Sequence, residues 1–496
     1  MPMQALVNGW VMDAVGGAPR AATVLVESGR IEAVLPPNAS VPSDAERFDA
    51  TDRLIIPGLI NAHTHGHGNL MKGVGDRWTL ELSLVNGPWA SGRRDPEQKY
   101  LSALAGAVEM LSKGVTACYD LVYEHPVPSV EGLQAIAQAY HDAGIRAIVC
   151  PMIADRSFYE AIPGLADSLP AELAAEVKAF RMAPVEETLA AVETVMREWR
   201  LPRDRVAPAV APTIPMHCSE SLIRRCIALA DEHGTGLQMH LAESKVQVEA
   251  ARLCYGQTLA QYVDQVGLAG PRFAAAHAIW LDADDYRRLA DKGSQFIHVP
   301  GSNYRLGSGI APVRMMLDAG ATVALATDGA TSSDNLNVFE VMRLAAMSSR
   351  AFGEPHERWL TSREVFGMAT LGGARVMGLE GRVGRIEAGF DADLTLLDLT
   401  GFNYLPLNDA LNQIVNCEDG TGVSDVMVAG RWVVRDRKVL TTDVRRLRER
   451  LQSAADAARE VAAPIQQQVA RLAPHVAAFA RQLIERPHPV NRYVRN

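Results

Sequence analysis

Three histidines, His63, His65 and His67, alternate with other residues in the segment NAHTHGHGN, directly after an apolar run. Side chains two apart on a β-strand point to the same face, so His63 and His65 would lie side by side. Two imidazoles on one face can converge on a metal ion. Two histidines alone are weak evidence for a metal site. The evidence becomes stronger only if other strands also end in side chains that can bind a metal.

Three further apolar runs end in metal-binding or acid–base side chains. His240 and Glu243 lie in LQMHLAES, His277 lies in AAAHAIW, and Asp328 lies in ALATDGATSSDN. Imidazoles combined with a carboxylate suit a borderline-soft divalent ion such as Zn²⁺ or Fe²⁺. Each group alone could cap a strand or shape a turn. Their recurrence at successive strand ends favours one shared site.

The elements that must position these side chains alternate between strand and helix. Eight strand candidates follow one another: LIIPGLINAHTH, GVTACYDL, IRAIVCPM, RVAPAVAP, TGLQMHLAE, RFAAAHAIW, SQFIHVP and TVALATDGA. Alternation of this kind predicts a parallel sheet, and eight repeats favour a (β/α)8 TIM barrel whose strand C-termini carry the chemistry. We therefore predict an α/β protein with a distorted barrel over residues 59–384.

Short β-rich runs occupy both ends of the chain, in residues 1–58 and again in residues 385–440. Gly, Pro and Asn turn signals separate these runs. The symmetry predicts one small β-sandwich domain built from both ends. Residues 441–496 are charged and have helical periodicity, which predicts a helical tail.

Composition excludes several classes of function. The chain has 496 residues and a net charge of −9, which argues against a nucleic-acid-binding surface. No apolar run is long enough to span a bilayer, and the N-terminal segment lacks the features of a signal peptide. The six cysteines form no CxxC pair. We expect a cytoplasmic protein with reduced thiols and no nucleic-acid or membrane partner.

Taken together, these motifs resemble the amidohydrolase superfamily, in the branch of cytosine deaminase, guanine deaminase, S-adenosylhomocysteine deaminase and the triazine hydrolases. The resemblance runs from PGLINAHTH through HLAES and HVPGSNYRLGSGIAPV to GRIEAGFDADLTLLD, nearly the whole chain. It implies that the metal ligands are His63, His65, His240 and Asp328. It also implies that Glu243 is the proton shuttle and that His277 hydrogen-bonds the attacking water.

The resemblance also implies how many metal ions are bound. Binuclear members of the superfamily carry a carbamylated lysine on strand four, and RVAPAVAPTIP contains no lysine. We therefore expect one divalent ion, Zn²⁺ in preference to Fe²⁺. Relatives are commonly dimers or larger, which implies a homo-oligomer.

The implied reaction is hydrolytic deamination of a planar amino-N-heterocycle, such as a purine, pterin, pyrimidine or triazine, with release of ammonia. Glu243 favours deamination, because a ring nitrogen must be protonated and members that displace chloride or alkylthio groups often lack this residue. One alternative is hydrolysis of another C–N bond, in an amide, urea or N-alkyl heterocycle, at the same site. A non-enzymatic scaffold is disfavoured, because the ligand set is intact.

Substrate contacts are left open by the sequence. His67 could line the mouth of the site or be exposed to solvent. Trp78 and Trp89, in the long loop after the first strand, could stack on a planar ring or pack the loop onto the barrel. His298 could orient the substrate or brace its own loop.

The segment after strand four departs from the family pattern. It carries Thr213 where S-adenosylhomocysteine deaminases have a histidine, which argues against a nucleoside substrate. His217 and Cys218 are not predicted to form a catalytic dyad, because adjacent residues seldom bring thiol and base into hydrogen-bond geometry. Ser219 is predicted to cap the following helix.

Overall fold

Strands and helices alternate through the middle of the chain. The computed structural model of the protein describes residues 2–15, 17–90 and 94–494. Within these ranges the strands are β1 (Gln4–Val11), β2 (Arg20–Glu27), β3 (Arg30–Leu35), β4 (Glu46–Asp49), β5 (Arg53–Pro57), β6 (Leu59–Thr64), β7 (Val115–Tyr123), β8 (Arg146–Ile153), β9 (Val206–Pro208), β10 (Ala211–Pro212), β11 (Leu237–Leu241), β12 (Phe273–His277), β13 (Gln295–His298), β14 (Val323–Leu325), β15 (Leu394–Asp398), β16 (Val423–Val428), β17 (Arg431–Arg435) and β18 (Lys438–Val439).

The α-helices of the same ranges are α1 (Leu80–Ala90), α2 (Pro96–Ser112), α3 (Val130–Ala143), α4 (Phe158–Ala161), α5 (Ala171–Val177), α6 (Val185–Arg197), α7 (Glu220–His233), α8 (Lys245–Tyr255), α9 (Leu259–Gln265), α10 (Ala283–Asp291), α11 (Pro300–Arg305), α12 (Val313–Asp318), α13 (Val338–Ser348), α14 (Ser362–Gly367), α15 (Gly373–Val376), α16 (Ala410–Asn416) and α17 (Val444–Ile484). Short 3-10 helices span Gly66–Met71, Ala166–Ser168, Pro215–His217, Ser349–Phe352 and His356–Arg358, and a π-helical turn spans Met368–Gly372.

The barrel consists of β6, β7, β8, the interrupted strand β9–β10, and β11 to β14. Neighbouring strands pair in parallel within β6–β10 and within β11–β14. A parallel bridge between Val210 and Leu237 joins the two groups on one side. On the other side the backbone N–H of Asp328, just after β14, donates to the carbonyl of His63 at 3.0 Å. These contacts complete the circle, and the predicted barrel is confirmed.

Small side chains fill the interior of the barrel. Its core contains the alanines Ala62, Ala117, Ala209, Ala211, Ala274, Ala324 and Ala326, together with Ile60, Ile297 and Val299. Larger residues such as Phe273, Phe296 and Leu325 belong to the cluster that packs against the helices. The division follows from the two-residue period of the strands. The residues with candidate functions lie beyond this interior layer, where the strands end.

Strands from both ends of the chain share one sheet. Its order is β18–β17–β16–β15–β5–β1–β2–β3, and β4 also pairs with β1. The sheet has a core of its own, which includes Leu6, Val24, Ile55 and Leu394. The predicted β domain from both chain ends is thereby confirmed. It also fixes the position of β5, which leads directly into β6 and the first histidines.

Helix boundaries near the site follow ordinary capping rules. Ser219 caps α7 as predicted, its hydroxyl accepting a hydrogen bond from the backbone N–H of Leu222, and Gly234 ends the helix with a φ of 62°. Ser244 caps α8 in the same way, just after Glu243. The helical tail α17 packs against α1, α2 and α8. The described helices include none that is long and apolar enough to cross a membrane.

A buried ionic cluster connects the barrel to the β domain. The Arg146 side chain, at the start of β8, is 2% exposed. Its Nε lies 2.7 Å from a carboxylate oxygen of Asp393, and an Nη atom lies 3.0 Å from Asp391. Removing one partner of a buried ion pair leaves an uncompensated charge out of water. The stability of the fold should therefore depend strongly on Arg146.

We expect Arg146→Ala to destabilise the protein by about 3–5 kcal/mol, because buried Asp393 loses its counter-charge and Asp391 loses its buried partner. Arg30→Ala is the matched control, since the Arg30 side chain is 63% exposed and only 3.5 Å from Asp391. That change is expected to cost about 0–1 kcal/mol. Urea unfolding followed by circular dichroism measures both. Equal losses for the two variants would contradict the assignment.

Candidate active site

Four side chains from separate strands meet at the C-terminal end of the barrel. His63 lies near the end of β6, His65 follows that strand directly, His240 lies on β11, and Asp328 follows β14. The Nε2 atoms of His65 and His240 are 3.3 Å apart. A carboxylate oxygen of Asp328 lies 3.0 Å from Nε2 of His65 and 3.6 Å from Nε2 of His63. The structure thus brings together the four residues that the sequence proposes as ligands.

These separations fit a shared metal ion. A Zn–N bond is about 2.0–2.1 Å long, so two tetrahedral ligand atoms lie roughly 3.3 Å apart. The ligand atoms of His63, His65 and His240 all lie within 4.8 Å of one another. Nε2 of His63 is buried and has no hydrogen-bond partner among the described residues. A buried nitrogen without a partner is costly unless something binds it, so the donor set suits a divalent ion.

Each ring is held by its other nitrogen. The three Nδ1 atoms donate to oxygens at 2.7–3.0 Å, and their acceptors are Oε1 of Gln238 for His63, the carbonyl of Leu121 for His65, and the carbonyl of Thr213 for His240. A proton on Nδ1 leaves the Nε2 lone pair free to bind a metal. The amide of Gln238 is itself fixed, because its Nε2 donates to the carbonyl of Ala62 at 2.8 Å.

The pKa values of Asp328 and His240 are shifted in the directions that favour metal binding. Burial acts to raise the pKa of Asp328, but the imidazoles of His65 and His63, whose Nε2 atoms face its carboxylate, hold that pKa well below its usual range. For His240, burial and the neighbouring imidazoles lower the pKa well below its usual value. An ionised carboxylate and a neutral imidazole are the forms that bind metal.

Glu243 and His277 face each other beside this group. Oε2 of Glu243 lies 3.8 Å from Nε2 of His277, too far for a hydrogen bond, and neither atom has a partner in the described part of the chain. Nδ1 of His277 donates to Oδ1 of Asn303 at 2.9 Å. The backbone N–H of Glu243 donates to Oε1 of Gln247 at 2.9 Å. Both side chains are therefore positioned and keep free hydrogen-bonding capacity for a ligand.

The pKa values of this pair differ in direction. Burial, with the charges of Asp328 and Glu81 adding to it, raises the pKa of Glu243 well above its usual value. Burial lowers the pKa of His277 to about 4. Glu243 can therefore hold a proton near neutral pH, whereas His277 is neutral and its Nε2 accepts hydrogen bonds.

The backbone is strained where these strands end. Asp328 has a φ of 68°, His277 of 67°, Ala242 of 50° and Ala278 of 46°. Non-glycine residues rarely adopt this region, and each costs about 1–3 kcal/mol that the surrounding structure must offset. Such conformations cluster at functional sites, and here they turn the chain sharply at the ends of β11, β12 and β14.

A cavity opens above the group. Glu243, His65, His240 and Asp328 lie at its polar end. Its walls are mostly apolar and aromatic, formed by Trp78, Leu80, Leu84, Tyr123, Met152, Phe158, Met182, Ile214 and Leu306. A concave, largely apolar pocket with a few converging polar groups is typical of a small-molecule site.

The tryptophans of the first loop divide between cavity and core. Trp78 lines the cavity. Trp89 is 7% exposed and lies behind it, at 6.1 Å in an edge-on contact, with its Nε1 donating to Asn86. Trp89 is therefore not placed to stack on a substrate, and of the two predicted tryptophans only Trp78 reaches the cavity.

His67 and His298 also differ in their surroundings. His67 lines the cavity and is only 9% exposed, with Nδ1 accepting from the backbone N–H of Tyr123 at 3.2 Å. His298 is fully buried between Ile297 and Val299, which belong to the interior of the barrel. Strand alternation turns its side chain away from that interior, and it is not part of the cavity wall. The substrate contact considered for His298 therefore has no support in this geometry.

The adjacent residues His217 and Cys218 point to different partners. The Cys218 thiol donates to the carbonyl of Ile153 at 3.4 Å, and burial raises its pKa to about 12. His217 lines the cavity instead. This agrees with the prediction that the two do not form a nucleophilic dyad, because a thiol that keeps its proton is not a nucleophile.

Sequence reasoning missed the residues that orient the histidine rings. Gln238 precedes His240 by two positions, which places it on the same face of β11, and this spacing could have revealed it. Asn303 lies in the motif HVPGSNYRLGSGIAPV, but nothing in the sequence links it to His277. The contact depends on how α11 follows β13.

Residues 54–433 match the model of the Amidohydrolase family, and the chain belongs to this family. Among its relatives, the 5'-deoxyadenosine deaminase of Methanothermobacter thermautotrophicus is 31% identical over 448 residues, which are 90% of this chain and 96% of the relative. The 5-methylthioadenosine/S-adenosylhomocysteine deaminase of Syntrophobacter fumaroxidans is 32% identical over 454 residues, again 90% and 96%. The predicted family, a hydrolase family acting on C–N bonds, is confirmed.

Solved structures give the same fold. An adenosine deaminase from Xanthomonas campestris with bound zinc superposes with a TM-score of 0.78 at 27% identity, covering 92% of this chain and 98% of the other. The atrazine chlorohydrolase of Arthrobacter aurescens has a TM-score of 0.81 at 24% identity, covering 91% and 99%. At that identity the second likeness supports the fold alone.

We expect Gln238→Met to weaken metal binding about 10–100-fold, because His63 loses the oxygen that fixes its ring. Gln257→Met, at a half-buried glutamine whose amide donates to Gln265, is the control and should not change the affinity. Competition with a chromophoric zinc chelator measures both constants. An unchanged constant for the Gln238 variant would argue against His63 as a ligand.

Proposed function

We propose that this chain is a metal-dependent hydrolytic deaminase of a purine nucleoside, which releases ammonia and leaves a carbonyl on the ring. The observation that carries the proposal is that Oε2 of Glu243 and Nε2 of His277 lie 3.8 Å apart without partners among the described residues, beside the metal-binding side chains. Glu243 lines the same cavity as His65, His240 and Asp328. The deaminase names of the relatives agree with it. The purine nucleoside class is favoured over other heterocycles because these relatives, at 31–32% identity, are named for adenosine derivatives.

The metal in this proposal is one divalent ion held by His63, His65, His240 and Asp328. Zinc is favoured over iron because a relative of 27% identity contains it and three nitrogens with one oxygen suit it. When bound, such an ion lowers the pKa of water from about 16 to roughly 7 and so supplies hydroxide near neutral pH.

Glu243 is assigned the proton transfers. Its carboxylate accepts one proton as water attacks the ring carbon and delivers it to the adjacent ring nitrogen. The second proton of that water, on the hydroxyl of the tetrahedral carbon, passes through the same carboxylate to the amine, so that ammonia leaves and a carbonyl remains. A carboxyl with a raised pKa suits both directions of transfer near neutral pH. Neutral His277 orients the water by accepting a hydrogen bond at Nε2, while Asn303 keeps the proton on Nδ1.

The cavity wall is assigned to binding the flat base and its substituent. Trp78 and His67, which both line the cavity, are the proposed contacts of the planar ring. Thr213, which replaces a histidine and on that ground argued against a nucleoside, also lines the cavity. The names of the relatives outweigh that argument, and we assign the Thr213 hydroxyl to the sugar.

We further propose the domain limits 1–58 and 385–440 for the β domain, 59–384 for the catalytic barrel and 441–496 for the tail, and a homo-oligomeric state. The oligomer is supported by an exposed apolar loop in which Phe402 is 96% exposed, Leu405 54% and Leu407 49%. Apolar surface of this kind is typical of protein contacts.

The zinc-loaded protein should release ammonia from at least one of adenosine, 5'-deoxyadenosine, 5'-methylthioadenosine and S-adenosylhomocysteine. The reason is that the cavity joins a proton-transfer carboxyl to an apolar wall that suits a flat base. A coupled ammonia assay over these nucleosides, with cytosine, guanine and an aminotriazine alongside, makes the measurement. Silence over the panel with turnover of a urea or anilide would favour the alternative C–N hydrolase.

Glu243→Gln should lower kcat about 10²–10⁴-fold and leave the metal content unchanged, because the amide keeps the shape and cannot carry the proton. Glu232→Gln, at an exposed residue of α7, is the control and should keep full activity. Metal analysis and steady-state kinetics are run on the same preparations. Full activity of the Glu243 variant would refute the shuttle.

A further inference from the structure

We propose that Arg492, near the end of the chain, is a positioning residue that holds the loop carrying His277 in its strained conformation. The inference rests on the role proposed for His277. Arg492 lies outside the stretch matched by the family model, residues 54–433. Nothing in the sequence motifs points to it.

The loop after β12 needs external support. His277 and Ala278 are both in the left-handed region, with φ of 67° and 46°. On the side of β11, the N–H of Ala278 donates to the carbonyl of Leu241 at 2.9 Å. The N–H of Ile279 donates to the carbonyl of Ala242 at 3.1 Å. These bonds fix one edge of the loop and leave its own carbonyls to find other donors.

Arg492 supplies those donors. Its Nε donates to the carbonyl of Ile279 at 2.8 Å, and an Nη atom donates to the carbonyl of Leu281. The hydroxyl of Tyr286 donates to the carbonyl of Ala278 at 2.6 Å. Arg492 is 6% exposed and forms no salt bridge with any acid in the described ranges. Its guanidinium therefore donates to backbone carbonyls, and hydrogen bonds from a cation are strong.

Arg492 also contacts the segment that follows α11, the helix whose Asn303 holds the ring of His277. The backbone carbonyl of Arg492 accepts from the N–H of Ile310 at 2.9 Å. A Cβ on Gly309, which has a φ of 120°, would come within 3.0 Å of that carbonyl, so the approach requires glycine. Residues 309–310 follow α11, whose Asn303 accepts from Nδ1 of His277. Arg492 thus ties together the backbone of the His277 loop and the segment that holds its ring.

The segment that carries Arg492 is anchored beside Glu243 as well. Lys245, two residues after Glu243, donates from Nζ to the carbonyls of Ile484 and Arg486 at the end of α17. The ring of Trp280, in the His277 loop, packs edge-on against Tyr493 at 4.8 Å. The tail therefore contacts the segments that follow β11 and β12, next to the proposed proton-transfer pair, and a shift of Arg492 would displace His277.

The test compares Arg492→Ala, Arg492→Lys and the control Arg486→Ala in the zinc-loaded protein of 496 residues. The side chain of Arg486 is exposed in the same segment, so its removal should leave kcat and KM unchanged. We expect Arg492→Ala to lower kcat roughly 10–100-fold with KM and metal content little changed, because the reacting groups are misplaced while the cavity wall and ligands remain. Arg492→Lys, which keeps a buried donor, should recover part of the loss. Millimolar guanidinium should restore part of kcat to the alanine variant.

Amide hydrogen exchange gives a readout that does not depend on turnover. The amides of residues 278–280 should exchange faster in Arg492→Ala than in the wild type or Arg486→Ala. If no nucleoside in the assay releases ammonia, the proposed function is wrong, and the exchange measurement still tests the role of Arg492. The inference is overturned if the folded alanine variant keeps wild-type kcat, or if exchange over residues 278–280 does not change.

Discussion

The backbone hydrogen bond from Asp328 to His63 is the contact on which the rest of the site depends. It closes the barrel between its last and first strands, which are more than 250 residues apart in the chain. The hydroxyl of Thr64 donates to the carbonyl of Asp328 at 3.0 Å and reinforces the same register. Because a strand alternates its faces, a slip of one residue would turn His63 and His65 away from the carboxylate. The geometry of the donor set is therefore a property of barrel closure.

Two carboxyl groups in this site have opposite electrostatic surroundings. Asp328 lies against the imidazoles of His63 and His65, which lower its pKa, whereas Glu243 is buried and lies near other carboxylates, which raise its pKa. One group is thereby kept charged and the other can carry a proton. When two acids in one site have pKa values shifted in opposite directions, one commonly acts as electrostatic stabiliser and the other as proton carrier. The groups that orient the three ligand rings lie on β7, on β11 and just after β10, so neighbouring strands of the barrel fix the geometry around these charges.

Much of this arrangement could be predicted from the sequence. Apolar runs in the sequence predict where the strands end. The side chains at those ends, from His63 to Asp328, can then be predicted to share one site. Contacts that depend on loop paths could not be predicted. Asn303 reaches His277 only because of the turn into α11, and Trp89 packs behind Trp78 because the long first loop folds back as a helix. His298 shows a related limit, since its strand was recognised but the face to which it points was not.

Arg492 lies against the loop that bears His277, while β1 to β3 share a sheet with β15 to β18. Segments far apart in the sequence thus support the same framework. During synthesis Arg492 leaves the ribosome more than 200 residues after His277, so the loop lacks this neighbour while most of the barrel has already been made. An affinity tag or fluorescent fusion inserted directly after Arg492 would therefore disturb the loop that bears His277.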